Sequence, residues 1–387
     1  MDAIYLDHAA TTPVREEVRA AMDPYLRDCF GNPSSPHRWG REAAAALAEA
    51  RDEVAGLLGA RFSEIHFTRG GTESDNLAVR GRAAALQADG VRPRVVTTAI
   101  EHKAVLDAAR HCASLGEAEV AVLDVTPDGS LDEDRLDAAL AKGPAVASLM
   151  WVNNETGLVL DLPALAERVR AAGATLHTDA VQAVGKIDVR VDRVPVDLLT
   201  ITGHKIQGPK GTGALFVRAG TALAPLLCGG GQEHGLRAGT EDVAGAVGLA
   251  TALRLAVEER ESESRRLGAL RAELERRLAG GIEGLRVHGA EGRRAPHVAS
   301  VGVPGVEGQS LLISLDLEGV AASGGSACQS GSRGGSHVIR ALYGDGEDPA
   351  PATLRLSLGA TTTEGQVLRA AEITCAVVGR LRAGAPA

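Results

Sequence analysis

The chain has 387 residues, comfortable for two domains, and its formal charge of −9 argues against a protein whose main work is gripping nucleic acid through phosphates. Its five cysteines (Cys29, Cys112, Cys228, Cys328, Cys375) are far apart and lack CxxC spacing, which suggests neither a disulfide framework nor a zinc site. The N-terminus is acidic with no apolar signal core, and no apolar run is long enough to span a bilayer, so a reducing cytoplasm is the expected compartment.

In chain order, strand-like apolar runs alternate with amphipathic helical stretches. A run at 65–68 precedes a helix over 74–86, one at 94–98 precedes a helix from 103, and one at 120–123 precedes a helix over 131–140. Runs at 145–152, 174–178, 196–201 and 213–217 continue the series. This alternation predicts an α/β class with a mostly parallel sheet covered on both faces, where ligands collect at the carboxyl ends of strands. A charged helix over 241–278, expected to break or bend, follows as a solvated bridge between domains. Strands at 285–288 and 297–303, a helix at 309–315, a glycine-serine-rich loop at 323–336, a strand at 353–358 and a helix from 363 predict a smaller α+β domain. The division expected is a large domain at 14–251 and a small one made of 1–13 and 252–387.

Polar clusters close several of these strands. Gly71 and Thr72, in Gly-Gly-Thr-Glu-Ser-Asp-Asn at 70–76, offer backbone N–H groups and a hydroxyl that can hold a phosphate, or can merely cap a helix. His102 can stack on a flat ring and move protons, or can simply start a helix. Asn153 and Asn154 offer paired amides for a carboxylate or a ring hydroxyl. Asp179 can pair with a protonated pyridine nitrogen, or can serve as an N-cap. Lys205, in Thr202-Gly203-His204-Lys205 after a buried strand, is placed to be desolvated and to form a Schiff base with an aldehyde, which draws the other clusters around pyridoxal phosphate. Arg355, a cation in an apolar strand, needs either an amino-acid carboxylate or an internal salt bridge. Cys328 stands in a hydrophilic loop, where a thiol is exposed and free to act as a nucleophile.

Together these segments, from Tyr-Leu-Asp-His-Ala-Ala-Thr-Thr-Pro at 5–13 through Gly-Asn-Pro-Ser-Ser at 31–35 to Arg-Ala-Gly-Thr at 237–240, resemble the cysteine desulfurases of the NifS/IscS type. These are class V aminotransferase-like enzymes of the pyridoxal-phosphate fold type I, and the similarity covers nearly the whole chain. It implies a seven-stranded, mostly parallel sheet in the large domain and a small domain carrying the cysteine loop. It also implies that Lys205 binds the cofactor covalently, that Gly71, Thr72, Thr202 and His204 hold its phosphate, and that Gly203 is among the cofactor-binding residues. Thr240 would reach the phosphate of the opposite subunit of a homodimer. His102 would stack on the ring, Asp179 pair with its nitrogen and Gln182 contact its hydroxyl. Asn154 and Arg355 would hold the substrate carboxylate, and Cys328 would accept sulfur. Gly71 stands where alanine is common and Thr202 where serine is common, and neither change removes a needed group. The loop after Cys328, with Gln329, Arg333, Gly334 and Gly335, is less typical.

The activity so implied converts L-cysteine to L-alanine and leaves a persulfide on Cys328. The sulfur passes to an acceptor protein, such as an iron–sulfur scaffold or a thiolation enzyme, for iron–sulfur cluster assembly, tRNA thiolation or DNA phosphorothioation. No resident metal is required, although Cys328 can serve as a transient ligand to a nascent cluster. No direct nucleic-acid or membrane partner is expected. Rival readings are a selenocysteine lyase, a class V aminotransferase, for which a mobile thiol has no use, and a non-catalytic sulfur-relay scaffold.

Overall fold

The computed structural model describes residues 3–88, 90, 92–325, 336–344 and 351–384. The chain opens with strand β1 (Ile4–Tyr5) and helices α1 (Glu16–Arg27) and α2 (Arg38–Leu58). In α2 the buried residues Ala43, Leu47, Ala50, Val54 and Leu58 recur at helical spacing. His37 Nδ1 caps its start by accepting the Gly40 N–H at 3.2 Å, and Gly59, at φ 72°, ends it in the left-handed region.

The alternation expected from sequence follows. Strand β2 (Ile65–Thr68) leads into α3 (Gly71–Asn76), which runs through a π turn at Leu77–Gly81 into α4 (Arg82–Ala88). Then come β3 (Arg94–Thr98), α5 (Lys103–Ser114), β4 (Glu119–Leu123), α6 (Glu133–Leu140), β5 (Ala145–Ser148), α7 (Leu162–Ala171), β6 (Thr175–Asp179), β7 (Leu198–Thr202) and β8 (Gly213–Val217). They form a seven-stranded sheet of order β2-β8-β7-β6-β5-β3-β4. Five of the strands, β7-β6-β5-β3-β4, run parallel, and β8 pairs antiparallel with both β7 and β2. Both faces are covered, as a parallel sheet requires. Val95 and Val146 pack against Val105 and Cys112 of α5 on one side, while their strand neighbours Val96 and Ala147 join the main core on the other.

Helix α8 (Val243–Gly281) runs 39 residues without the break expected from its sequence. What changes is its environment. Ala246, Leu249, Ala250, Ala252 and Leu253 are buried in the main core, whereas Leu267, Leu274 and Leu278 are buried in a second core. That second core also takes in β9 (Arg286–Val287), β10 (Val298–Val303), α9 (Gly308–Leu317), β11 (Val320–Ala321), β12 (Ala352–Ser357) and α11 (Glu364–Gly384), while α10 (His337–Tyr343) packs on the first. Strands β12-β10-β9 form an antiparallel sheet, and β1 pairs parallel with β11, bringing the chain start onto this second unit.

Candidate functional site

Four neighbouring strand ends deliver their polar clusters to one cavity of about 260 Å³. Its lining includes Gly71, Thr72, His102, Asn154, Asp179, Gln182, Thr202, His204, Lys205 and Arg355. Asp179 is the last residue of β6, and Lys205 ends a short 3-10 turn after β7. His102 and Asn154 follow β3 and β5. Sequence reasoning therefore names most of this lining. Gly203 is buried in the turn behind it, donating its N–H to the Thr212 carbonyl at 3.1 Å. Thr240 is exposed and does not line the cavity. Cys328 lies outside the described residues.

Lys205 is half-buried, and its Nζ donates to the carbonyls of Ala9 (2.6 Å) and Ala10 (2.7 Å). Asp179 accepts the Val181 N–H at 2.9 Å. Burial raises its pKa, against the opposing pull of His102, that hydrogen bond and Lys205. His102 uses Nδ1 to accept the Ala104 N–H at 3.1 Å, capping α5. Burial lowers its pKa, so the neutral ring carries its proton on Nε2 and is a donor on that edge. Of its two alternatives, Arg355 shows the internal salt bridge. It lines the cavity, and its two terminal nitrogens already donate to Asp7 Oδ1 (2.7 Å) and to the Asn154 carbonyl (3.0 Å). The Gln182 amide donates to the Ala9 carbonyl at 2.9 Å and accepts from His297 at 3.1 Å. The Thr202 hydroxyl donates to the Thr212 carbonyl at 2.8 Å.

Sequence reasoning missed Asp75, which is buried, lines the same cavity and lies near Asp179. Burial, then the charge of Asp179, raises its pKa strongly. Its oxygen lies 3.7 Å from His177 Nε2, but burial depresses the His177 pKa to about 3, so the ring is neutral and the contact is not an ion pair. Asp75 was legible only as one more polar residue in a helix start.

The class-V aminotransferase family profile matches residues 4–369. A cysteine desulfurase of Trichormus azollae is 45% identical over 386 residues, covering 100% of this chain and 95% of that protein. The chain belongs to the cysteine desulfurases of the class-V aminotransferase family. Among solved structures, a NifS-like protein superposes with a TM-score of 0.89 at 32% identity, covering 98% of this chain and 100% of its own. SspA in complex with cysteine superposes with a TM-score of 0.79 at 32% identity, covering 92% and 98%.

The cofactor of this family is pyridoxal phosphate, and the lining fits it. Asp179 is a buried carboxylate that a protonated ring nitrogen would satisfy. Asn154 Oδ1 is buried without a hydrogen-bond partner among the described residues. A Cβ at Gly71 would meet Val181 Cγ2 at 3.1 Å, so a small residue keeps the floor of the phosphate side open.

Proposed function

We propose that the chain is a pyridoxal-phosphate-dependent cysteine desulfurase that turns L-cysteine into L-alanine and leaves the sulfur as a persulfide on Cys328. The observation that carries this reading is the meeting of Lys205, Asp179, His102, Asn154 and Arg355 around one cavity. The reaction is balanced without an outside oxidant or reductant. The substrate Cβ–S bond breaks, an S–S bond forms to Cys328 Sγ, and the thiol proton is made good at Cβ, which becomes the alanine methyl.

When bound, pyridoxal phosphate supplies an aldehyde that takes up amines covalently and a ring that withdraws electrons from the amino-acid Cα. Lys205 is the amine that holds the cofactor between turnovers, and once released it takes the Cα proton on Nζ. Asp179 keeps the ring nitrogen protonated. Gly71, Thr72, Thr202 and His204 hold the phosphate, for which Thr202 turns its hydroxyl away from Thr212, and Gln182 meets the ring hydroxyl. His102 stacks on the ring with Nε2 as a donor. Asn154 and Arg355 grip the substrate carboxylate. A free thiol has a pKa of roughly 8.5, so Cys328 must shed its proton before attack. A relay scaffold would have no use for the buried Asp179 and the Lys205 turn.

The same reading makes the protein a cytoplasmic homodimer of two-domain subunits (14–251; 1–13 with 252–387) that passes sulfur to an acceptor protein. Support for a dimer comes from Leu26, Phe30 and Trp39, large apolar side chains left exposed. A cleft of about 460 Å³ between Pro33–Ser34 and Gly231–His234 is also lined by Glu241, the chain neighbour of Thr240, which is the residue expected to reach across to the opposite subunit. Among the described residues no helix is long and apolar enough to cross a membrane.

The test is Cys328→Ala. The variant should bind the cofactor and show the substrate-induced change in the visible spectrum, yet release no sulfide under reductant. Sulfide output equal to wild type sinks the assignment of that thiol.

A further inference from the structure

Glu155 is fully buried and does not line the cavity, so the reaction as described leaves it without a task. It follows Asn154 in a turn fastened by Asn153, whose Oδ1 accepts the N–H groups of Glu155 and Thr156, both at 2.9 Å. Glu155 Oε2 accepts the hydroxyl of Ser336 in a short hydrogen bond. The same oxygen lies against Gly325: a Cβ built there would stand 2.7 Å from it, and Gly325 has φ 110°, so both space and backbone demand glycine. Gly325 and Ser336 are the described residues flanking the segment 326–335 that contains Cys328. A single carboxylate oxygen therefore meets both ends of that segment.

Two more ties lead from these ends to the site. Ser323 exchanges both backbone hydrogen bonds with Arg355, at 3.1 and 2.7 Å. His337 Nε2–H donates to the carbonyl of Glu101, the residue before His102, at 2.9 Å. The ends of the Cys328 segment thus touch the immediate neighbours of Asn154 and His102, and Arg355 itself. The other oxygen of Glu155 is buried without a hydrogen-bond partner among the described residues, which apolar packing alone does not explain.

We propose that Glu155 is a positioning residue for sulfur transfer, its carboxylate tying both ends of the Cys328 segment to the strand end that carries Asn154. The inference rests on the desulfurase reading. The step it positions forms the S–S bond to Cys328 Sγ as the substrate Cβ–S bond breaks, with a proton delivered to Cβ. A misplacement of about 1 Å can cost such a step on the order of a hundredfold.

The experiment follows one turnover of holoenzyme with L-cysteine in two channels. One is the cofactor absorbance, which reports substrate binding. The other is persulfide at Cys328, trapped by alkylation and weighed by mass spectrometry. In Glu155→Ala the absorbance change should stay within about twofold of wild type, while persulfide forms about ten- to a hundredfold more slowly. Glu155→Gln keeps an oxygen for Ser336 and should recover most of the rate. Gly325→Ala, which disturbs the contact from the other side, should repeat the slow phenotype. Persulfide forming at the wild-type rate in Glu155→Ala overturns the proposal and leaves the desulfurase reading intact. So does equal loss of both signals in the Ala and Gln variants, which marks a merely structural residue. Wild-type protein that never persulfidates Cys328 overturns the desulfurase reading itself.

Discussion

Arg355 shows what a single side chain reveals in sequence and what it hides. A cation amid the apolar residues of β12 announces a buried partner. The partner, Asp7, lies 348 residues away, a distance no local pattern bridges. The planar guanidinium serves Asp7 and the Asn154 carbonyl together, and in the proposed reaction it also faces the substrate carboxylate. Arg355→Lys keeps the charge and loses the fork. A hydrogen bond to a charged group contributes about 1.5–3 kcal/mol, so KM for L-cysteine should rise roughly ten- to a hundredfold. Steady-state kinetics with an unchanged KM would show that the fork does not touch substrate. His102 was legible in the same partial way. Its place at a helix start was readable, but the choice of Nδ1 as the cap, and so of Nε2 as donor, is set by the geometry around Ala104.

At the scale of elements, the central strands β5, β6, β7 and β8 were readable because every residue in them is buried, and polar clusters follow β5, β6 and β7. Helices α1 and α2 were not read, since neither follows a strand of the main sheet that would set up the alternation, and α2 builds its buried face largely from alanine. The mixed charges of α8 suggested a break. Its continuity instead comes from changing partners, alanines and leucines in the main core and then Leu267, Leu274 and Leu278 in the second. The second set is a separate source of stability. Leu274→Ala, at a fully buried position, should cost about 2–5 kcal/mol in denaturant titration while leaving the cofactor band in place below the transition. Loss of cofactor binding without loss of stability would instead couple that core directly to the site.

For the molecule as a whole, buried titratable groups shape the pH dependence of stability. Burial depresses His8, His66, His204 and His288 from 6.5 to about 4, and His177 to about 3. Between these values the unfolded chain holds more protons, so what they contribute is present above pH 6.5 and lost as pH falls through their folded pKa values. Burial acts in the opposite sense on Glu101, raised from 4.5 to about 8 by desolvation, and on Asp75 and Asp179, raised likewise. Their stabilising proton is present at low pH and is lost as pH rises. Thermal melts of cofactor-free protein should therefore peak near pH 6.5 and fall on the acid side towards pH 4. Melting temperatures that climb steadily as pH falls from 6.5 towards 4 would contradict the burial of these rings. At this scale the class of fold and the cluster of strand ends were legible, because they follow from alternation and from polar punctuation. The ties around Glu155 were not, since they join residues 170 and more positions apart in the chain. One of those ties has a wider consequence. The strand that presents Arg355 to the cavity is also the rail on which Ser323, at the root of the thiol's segment, is hung. Reshaping this pocket for a bulkier amino acid would shift that rail as well, so choice of substrate and timing of sulfur hand-off are inherited together.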